Sequence, residues 1–198
     1  MPGSLIVVEG IDGTGKSTQV RLLAEALRND GHRVVTSREP TDGPYGTRLR
    51  QSATTGRLSP EEELQLFLQD RREHVETLIQ PALDAGEIVI LDRYYFSSMA
   101  YQGVRGFDPQ EIRRVNEEFA PQPDLLLHLD LSVDDALARV GARDGNANEF
   151  EQREALQLCS DVFHSITDDF VRRIDTAQSI EQVHADVLAT ARAMMAEA

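Results

Sequence analysis

The chain has 198 residues with a single cysteine, and its 34 acidic against 20 basic side chains leave a formal charge of −14. That length suits one domain with a core of its own, and one cysteine excludes an intrachain disulfide and fits a reducing, cytoplasmic compartment. So acidic a surface disfavours nucleic acid or an anionic membrane as partner; no apolar run approaches spanning length, and the N-terminus lacks a signal-peptide layout.

In chain order, the apolar run Leu5-Ile6-Val7-Val8 reads as a buried strand over 5–9 and leads into Gly10-Ile11-Asp12-Gly13-Thr14-Gly15-Lys16-Ser17. That octet matches the phosphate-binding pattern G-x-x-x-x-G-K-S/T without a mismatch. Gly13 and Gly15 can take positive φ and leave bare backbone open to phosphate oxygens. A helix opening at Ser17 and Thr18 turns unpaired N–H groups and its dipole toward an anion, so this stretch reads as an ATP site. Lys16 brings a compact charge for the outer phosphates, and the Ser17 hydroxyl a ligand for Mg²⁺.

The first helix is predicted over 17–29, ended by Gly31. A short strand over 33–37 leads into Arg38-Glu39-Pro40, followed by a Gly-rich loop over 41–46 and a short helix. Ser59-Pro60-Glu61-Glu62 joins an N-cap, a first-turn proline and a capping-box glutamate. It opens a long helix with Leu64, Phe67, Arg71, Val75 and Leu78 along one side, and Pro81 either kinks it or begins a new turn before Gly86. Ile88-Val89-Ile90-Leu91 is a third strand running into Asp92-Arg93; a helical stretch over 96–102 and a helix opened by Asp108-Pro109 follow. A fourth strand spans 125–131, and Ser132 caps a helix over 133–140. The polar segment 141–149 lacks apolar anchors and reads as a mobile loop. A helix over 151–170 places Cys159 in the series Leu156, Cys159, Phe163, Ile166, Phe170, a core position. After a strand over 172–175, the last helix starts at Ser179 and should turn Ile180, Val183, Val187, Ala191 and Met194 inward.

Apolar strands alternating with helices predict an α/β three-layer sandwich of the P-loop NTPase type: a five-stranded parallel sheet flanked by helices, in one domain over 1–198. Ligands of such folds bind at the carboxyl ends of strands, which aligns the glycine loop, Arg38 and Asp92-Arg93 along one crevice. Asp92 at a strand tip suits Mg²⁺, and Arg93 can present a fork to a second phosphate; an ordinary surface Asp-Arg pair is the plain alternative. There is no Asn-Lys-x-Asp motif, and the strand after the long helix ends in Asp92-Arg93 rather than D-x-x-G, which argues against a switch GTPase. A P-loop by itself still admits nucleoside kinases and other nucleotide kinases.

Several stretches carry a resemblance: Glu9 to Ser17, Arg38-Glu39-Pro40, Leu66-Phe67-Leu68-Gln69-Asp70-Arg71, Asp92-Arg93-Tyr94 and Ser97-Ser98-Met99-Ala100-Tyr101-Gln102-Gly103. In order and spacing this set closely resembles the bacterial thymidylate kinase family, from about residue 4 to the last helix. The resemblance implies transfer of the ATP γ-phosphoryl group to dTMP, with Mg²⁺, in a homodimer. It implies that Phe67 stacks on thymine while Arg71, four residues on and on the same helical face, bonds the base O4. On the residues alone, Phe67 in the core and Arg71 paired with a glutamate is the alternative. Ser98, Tyr101 and Gln102 share a face, with Ser98 near the base, Tyr101 against the sugar as a filter for deoxyribose, and Gln102 in polar contact with the nucleotide. Arg38 and Arg93 match arginines that hold the acceptor phosphate; Asp12 matches an aspartate near the sugar 3′-hydroxyl and the metal. Glu39-Pro40 matches a cis peptide. The lid departs from the pattern: position 13 is glycine, and Asn148-Glu149-Phe150-Glu151 has a glutamate where relatives carry an arginine. Arg139, Arg143 and Arg153 are the candidates to reach the transferring phosphate from a mobile lid at about 141–152, with Arg143 first.

Overall fold

The computed structural model describes residues 3–56, 58–144 and 149–197, apart from the side chains of 53, 142–144, 149–151 and 197. Its strands are β1 (Ser4–Glu9), β2 (Val34–Arg38), β3 (Ile88–Asp92), β4 (Leu125–Asp130) and β5 (Val171–Asp175). They form one sheet in the order β2-β3-β1-β4-β5, with every neighbouring pair parallel. The first strand is thus central, with later strands added on either side. That reversal of order opens a crevice at its carboxyl end, where the glycine loop begins.

The helices are α1 (Lys16–Asn29), α2 (Pro44–Thr55), α3 (Pro60–His74), α4 (Gln80–Asp84), α5 (Tyr95–Val104), α6 (Pro109–Glu117), α7 (Val133–Asp144), α8 (Glu149–Ser165) and α9 (Ile180–Glu197). Strand alternation sorts them into two layers. On one face Ile6, Val8, Ile90 and Leu127 pack with Val20, Leu23 and Leu27 of α1 and Val187 and Ala191 of α9. On the other, Leu5, Val7, Val89 and Leu91 pack with Val75, Ile79, Phe96, Met99, Cys159 and Phe163. Both faces of the sheet are therefore dry, which the near-continuous apolar strands require. Among the described residues, no helix is long and apolar enough to cross a membrane.

Four local differences from the sequence reading have physical causes. At Pro81 a new turn begins, as one of the two alternatives had it, but through an unexpected π-helical segment, Val75–Ile79, after which α4 takes the proline into its first turn. A wider turn spares the carbonyl that the ring of an α-helical proline would strike. α7 continues to Asp144 and α8 begins at Glu149, so helix occupies much of the expected loop; positions 145–148 lie outside the described residues. α8 ends at Ser165, short of Phe170, because Leu126 N bonds Phe170 O and draws that stretch into line with β5. Ile180 is 57% exposed rather than inward, since it opens the first turn of α9 at the rim of the crevice beside the glycine loop.

Candidate functional site

Elements that share the carboxyl edge of the sheet supply two adjoining cavities. Strand pairing sets Val8 of β1 and Arg38 of β2 both beside Asp92 of β3, so the ends of three strands stand level. The first cavity, about 1070 Å³, is lined by Asp12, Gly13, Thr14, Gly15, Lys16, Ser17 and Thr18, together with Arg38, Asp92, Arg93, Arg139, Gln178 and Ile180. Gly13 and Gly15 have φ of +90° and +92°, and a Cβ on Gly13 would lie 2.7 Å from the Ala136 carbonyl oxygen. Only glycine meets both demands there. Gly10 and Ile11 stand behind the wall of the cavity rather than on it. Their carbonyls accept from Lys16 Nζ at 2.9 and 2.8 Å and hold the ammonium in place. Burial, then repulsion from Arg93, lowers Lys16 to about 8.

The Ser17 hydroxyl donates to Asp92 Oδ2, so the two oxygen donors expected to face a metal are in direct contact. Among the described residues no group of three His, Cys, Asp or Glu side chains could hold a cation alone. Magnesium is commonly bound by one carboxylate with phosphates and waters, and a hydroxyl and a carboxylate beside a phosphate loop fit that demand.

Arg93 lies between the cavities. Its backbone has φ +73°, a left-handed conformation uncommon outside glycine and typical of functional turns. Glu9, fully buried, holds that turn: its Oε1 accepts from Tyr94 N at 2.7 Å and Ser97 N at 3.0 Å, and its Oε2 from Ser97 Oγ at 2.7 Å. Burial raises the Glu9 carboxyl above its ordinary range, opposed by Arg93, Ser97 and Lys16. The Arg93 guanidinium donates to Asp12 and, at 3.1 Å, to Ser97 Oγ, and lies 5.2 Å from the centre of the Tyr101 ring.

The second cavity, about 420 Å³, is lined by Phe67, Arg71, Ser98, Tyr101 and Gln102, and it shares Glu39, Pro40, Arg50 and Arg93 with the first. Phe67 is half-buried on its wall, not in the core. Arg71, 1% exposed, donates through Nε to Glu39 at 2.7 Å, through Nη1 to Asn116 Oδ1 at 2.6 Å and through Nη2 to Ser98 Oγ at 3.1 Å. Of the alternative reading, the pairing of Arg71 with a glutamate is present and the core position of Phe67 is not; Arg71 also lines the cavity beside Phe67. Glu39 also meets His74 Nδ1 at 3.0 Å, and the bond from Glu39 to Pro40 is cis. Gln102 Oε1 is a buried polar atom without a hydrogen-bond partner among the described residues, while the Tyr101 hydroxyl stands beside the Arg93 guanidinium. Unpaired polar atoms in a cavity wall are costly unless a ligand satisfies them. Burial raises the Tyr101 hydroxyl, which keeps its proton at neutral pH.

Not every expected residue sits where it was placed. Arg38 lines only the first cavity, and its guanidinium bonds Asp42 at 2.9 Å. Arg139 reaches the first cavity and donates to Thr176 O at 2.8 Å. Arg153 pairs with Asp134 beside a separate hollow lined by Asp130 and His164, away from the loop. The side chain of Arg143 lies outside the described residues. Sequence reasoning missed Arg50, which lines both cavities and is fixed by donation to Pro40 O at 2.9 Å and Thr41 O at 2.6 Å. It also passed over the organising role of Glu9, although that residue opens one of the resembling stretches, and over Asn116, which no local pattern marks.

A glycine loop on the central strand of a parallel sheet, with a buried lysine, a serine–aspartate pair and an adjoining arginine-lined cavity, defines an α/β fold of the P-loop kinase type. A family model described as thymidylate kinase matches residues 8–187. The chain belongs to the thymidylate kinase family. It is 49% identical over 189 residues to a protein named thymidylate kinase from Desulfotalea psychrophila, covering 94% of this chain and 93% of that one. Over 185 residues it is 54% identical to one of the same name from Akkermansia muciniphila, covering 93% and 89%. A third, from Xanthomonas campestris pv. campestris strain B100, is 51% identical over 191 residues, covering 94% and 84%.

Proposed function

We propose that the protein transfers the γ-phosphoryl group of Mg·ATP to the 5′-phosphate of dTMP, giving ADP and dTDP. The observation that carries this reading is the shared wall: a phosphate cradle and a base-sized cavity meet at Arg50 and Arg93. A triphosphate in the first cavity and a monophosphate nucleotide in the second would bring their phosphates together there.

In this reading an oxygen of the acceptor phosphate attacks the γ-phosphorus while the bond to the bridging oxygen of ADP breaks. The acceptor is already ionised, so no side chain has to remove a proton. Lys16 and the backbone N–H groups of residues 13–18 bind the donor phosphates, and Arg93 and Arg50 offset the repulsion between donor and acceptor. Ser17 and Asp92 would hold Mg²⁺, which when bound neutralises charge on the donor phosphates. Asp12 aligns Arg93; Arg38, held by Asp42, adds a cation to the wall of the first cavity. Phe67 offers a face for the base, Arg71 and Ser98 its polar edge, Gln102 a further polar contact, and Tyr101 crowds the 2′ position of the sugar. The segment 141–152 serves as a lid that excludes water, with Arg143 or Arg139 carrying charge to the transferring group. Cytoplasmic residence and a homodimer belong to the same reading and rest on the family alone.

The test is a steady-state assay of purified protein with Mg·ATP against dTMP, dUMP, dCMP, dGMP, TMP with a ribose sugar, and thymidine. Preferred turnover of dTMP is expected. A dUMP rate lower by roughly 10- to 200-fold fits the loss of one methyl contact. Preference for thymidine, or ATP hydrolysis indifferent to every acceptor, overturns the assignment.

A further inference from the structure

Glu63 lies on α3, 8% exposed, at the edge of the second cavity. Its Oε1 accepts from Gln102 Nε2 at 3.1 Å, and its Oε2 accepts from Arg105 Nη1, while Arg105 Nη2 is tied to Leu58 O at 3.1 Å. The orientation of a glutamine amide is ordinarily ambiguous, because its oxygen and nitrogen are nearly alike in shape. Here the ambiguity is removed chemically. A carboxylate paired with an arginine can only accept, so it must face the NH₂ group of Gln102. Oε1 is then the atom left over, buried and without a partner, on a residue that lines the cavity. The bond from Gln102 to Glu63 spans 39 positions, so only the packing of α5 on α3 creates it.

We propose that Glu63, clamped by Arg105, is a specificity-positioning residue: it fixes Gln102 as an acceptor, so the cavity takes a pyrimidine whose ring N3 carries a hydrogen and refuses one whose N3 is itself an acceptor. Thymine and uracil have that N–H. Cytosine presents a lone pair at N3, and two facing acceptors leave a buried polar group unpaired. The inference rests on the second cavity being the base site of the reading above. It goes beyond that reading by assigning the choice between pyrimidines to a residue that need not touch the nucleotide.

The experiment measures kcat and KM for dTMP, dCMP and ATP in the wild type, Glu63→Gln, Gln102→Leu and the double variant, with thermal melting of each. Glu63→Gln can donate as well as accept, which frees the Gln102 amide to turn over. The expected result is a rise in KM for dTMP of roughly tenfold, a KM for ATP that does not follow it, and a similar fall in the dTMP-to-dCMP ratio of kcat/KM. In the Gln102→Leu background the same change should leave that ratio where it stands, because the residue acts through Gln102. Glu63→Asp, which keeps the carboxylate, should retain most of the preference. Should Glu63→Gln fail to fold, Arg105→Lys, which loosens the clamp, should lower the ratio in the same direction. An unchanged ratio in Glu63→Gln, or losses that simply add in the double variant, overturns the inference while dTMP turnover by the wild type leaves the function standing. A wild type that does not use dTMP removes both.

Discussion

Replacing Arg71 by alanine should cost the protein stability as well as its grip on dTMP. The Arg71 and Glu39 side chains are 1% and 3% exposed, with Nη2 and Oε2 2.7 Å apart. Removing one partner of a buried pair leaves an uncompensated charge and typically costs about 3–5 kcal/mol. His74, 3.0 Å from the other Glu39 oxygen, offsets part of this, while Asn116 Oδ1 and Ser98 Oγ lose their donor and add to it. A net loss of about 3 kcal/mol follows, which in a domain of this size lowers the melting temperature by roughly 6–12 °C. Urea and thermal unfolding of Arg71→Ala beside wild type read the loss directly. Pairing Arg71→Met with Glu39→Gln removes both charges and should recover most of the stability but not the dTMP affinity, since the cavity still lacks its guanidinium. In Arg71→Ala itself KM for dTMP should rise at least tenfold, against less than threefold for ATP. A stability loss below about 1 kcal/mol would show Glu39 rehydrating freely. A double variant as unstable as the single one would refute the argument from unpaired charge.

Three further expectations follow from the same geometry. Lys16 carries its charge only below about 8 in the free enzyme, so kcat/KM for ATP should fall as pH rises through that value. Saturating nucleotide, whose phosphates favour the ammonium, should hold kcat level to higher pH; a pH-independent kcat/KM up to pH 10 refutes this, and Lys16→Ala should abolish transfer with the fold intact. Tyr101→Ala should raise turnover of the ribose form of TMP relative to dTMP, whereas Tyr101→Phe, which keeps the ring, should not; equal behaviour of the two removes the ring as a sugar filter. His128, buried against Phe163, is pushed by burial down to about 4. Its neutral form therefore favours folding at neutral pH, and that contribution is lost as pH falls from about 6.5 toward 4. The urea midpoint of wild type should drop over this window more than that of His128→Phe, and parallel curves contradict it.

What the sequence determined by itself was the chemistry written in adjacent residues. Gly10 to Ser17 form the phosphate loop through their own backbone conformations, and the apolar runs of β1, β3 and β4 could only be strands covered on both sides. Arg93, Phe67, Arg71 and Tyr101 were legible because they sit inside short motifs next to those elements. Tertiary structure alone decided the rest. Glu39 and Asn116 reach Arg71 across 32 and 45 positions, and Glu9 reaches Tyr94 across 85, separations at which no periodicity or propensity leaves a trace. Arg50 enters both cavities only because α2 folds back over Pro40, and Ile180 turns outward only because α9 begins at the crevice rim. A chain spells out the groups that bind through their own backbone; the partners that aim and limit a buried side chain are set by which elements happen to meet, and that is fixed when the layers pack.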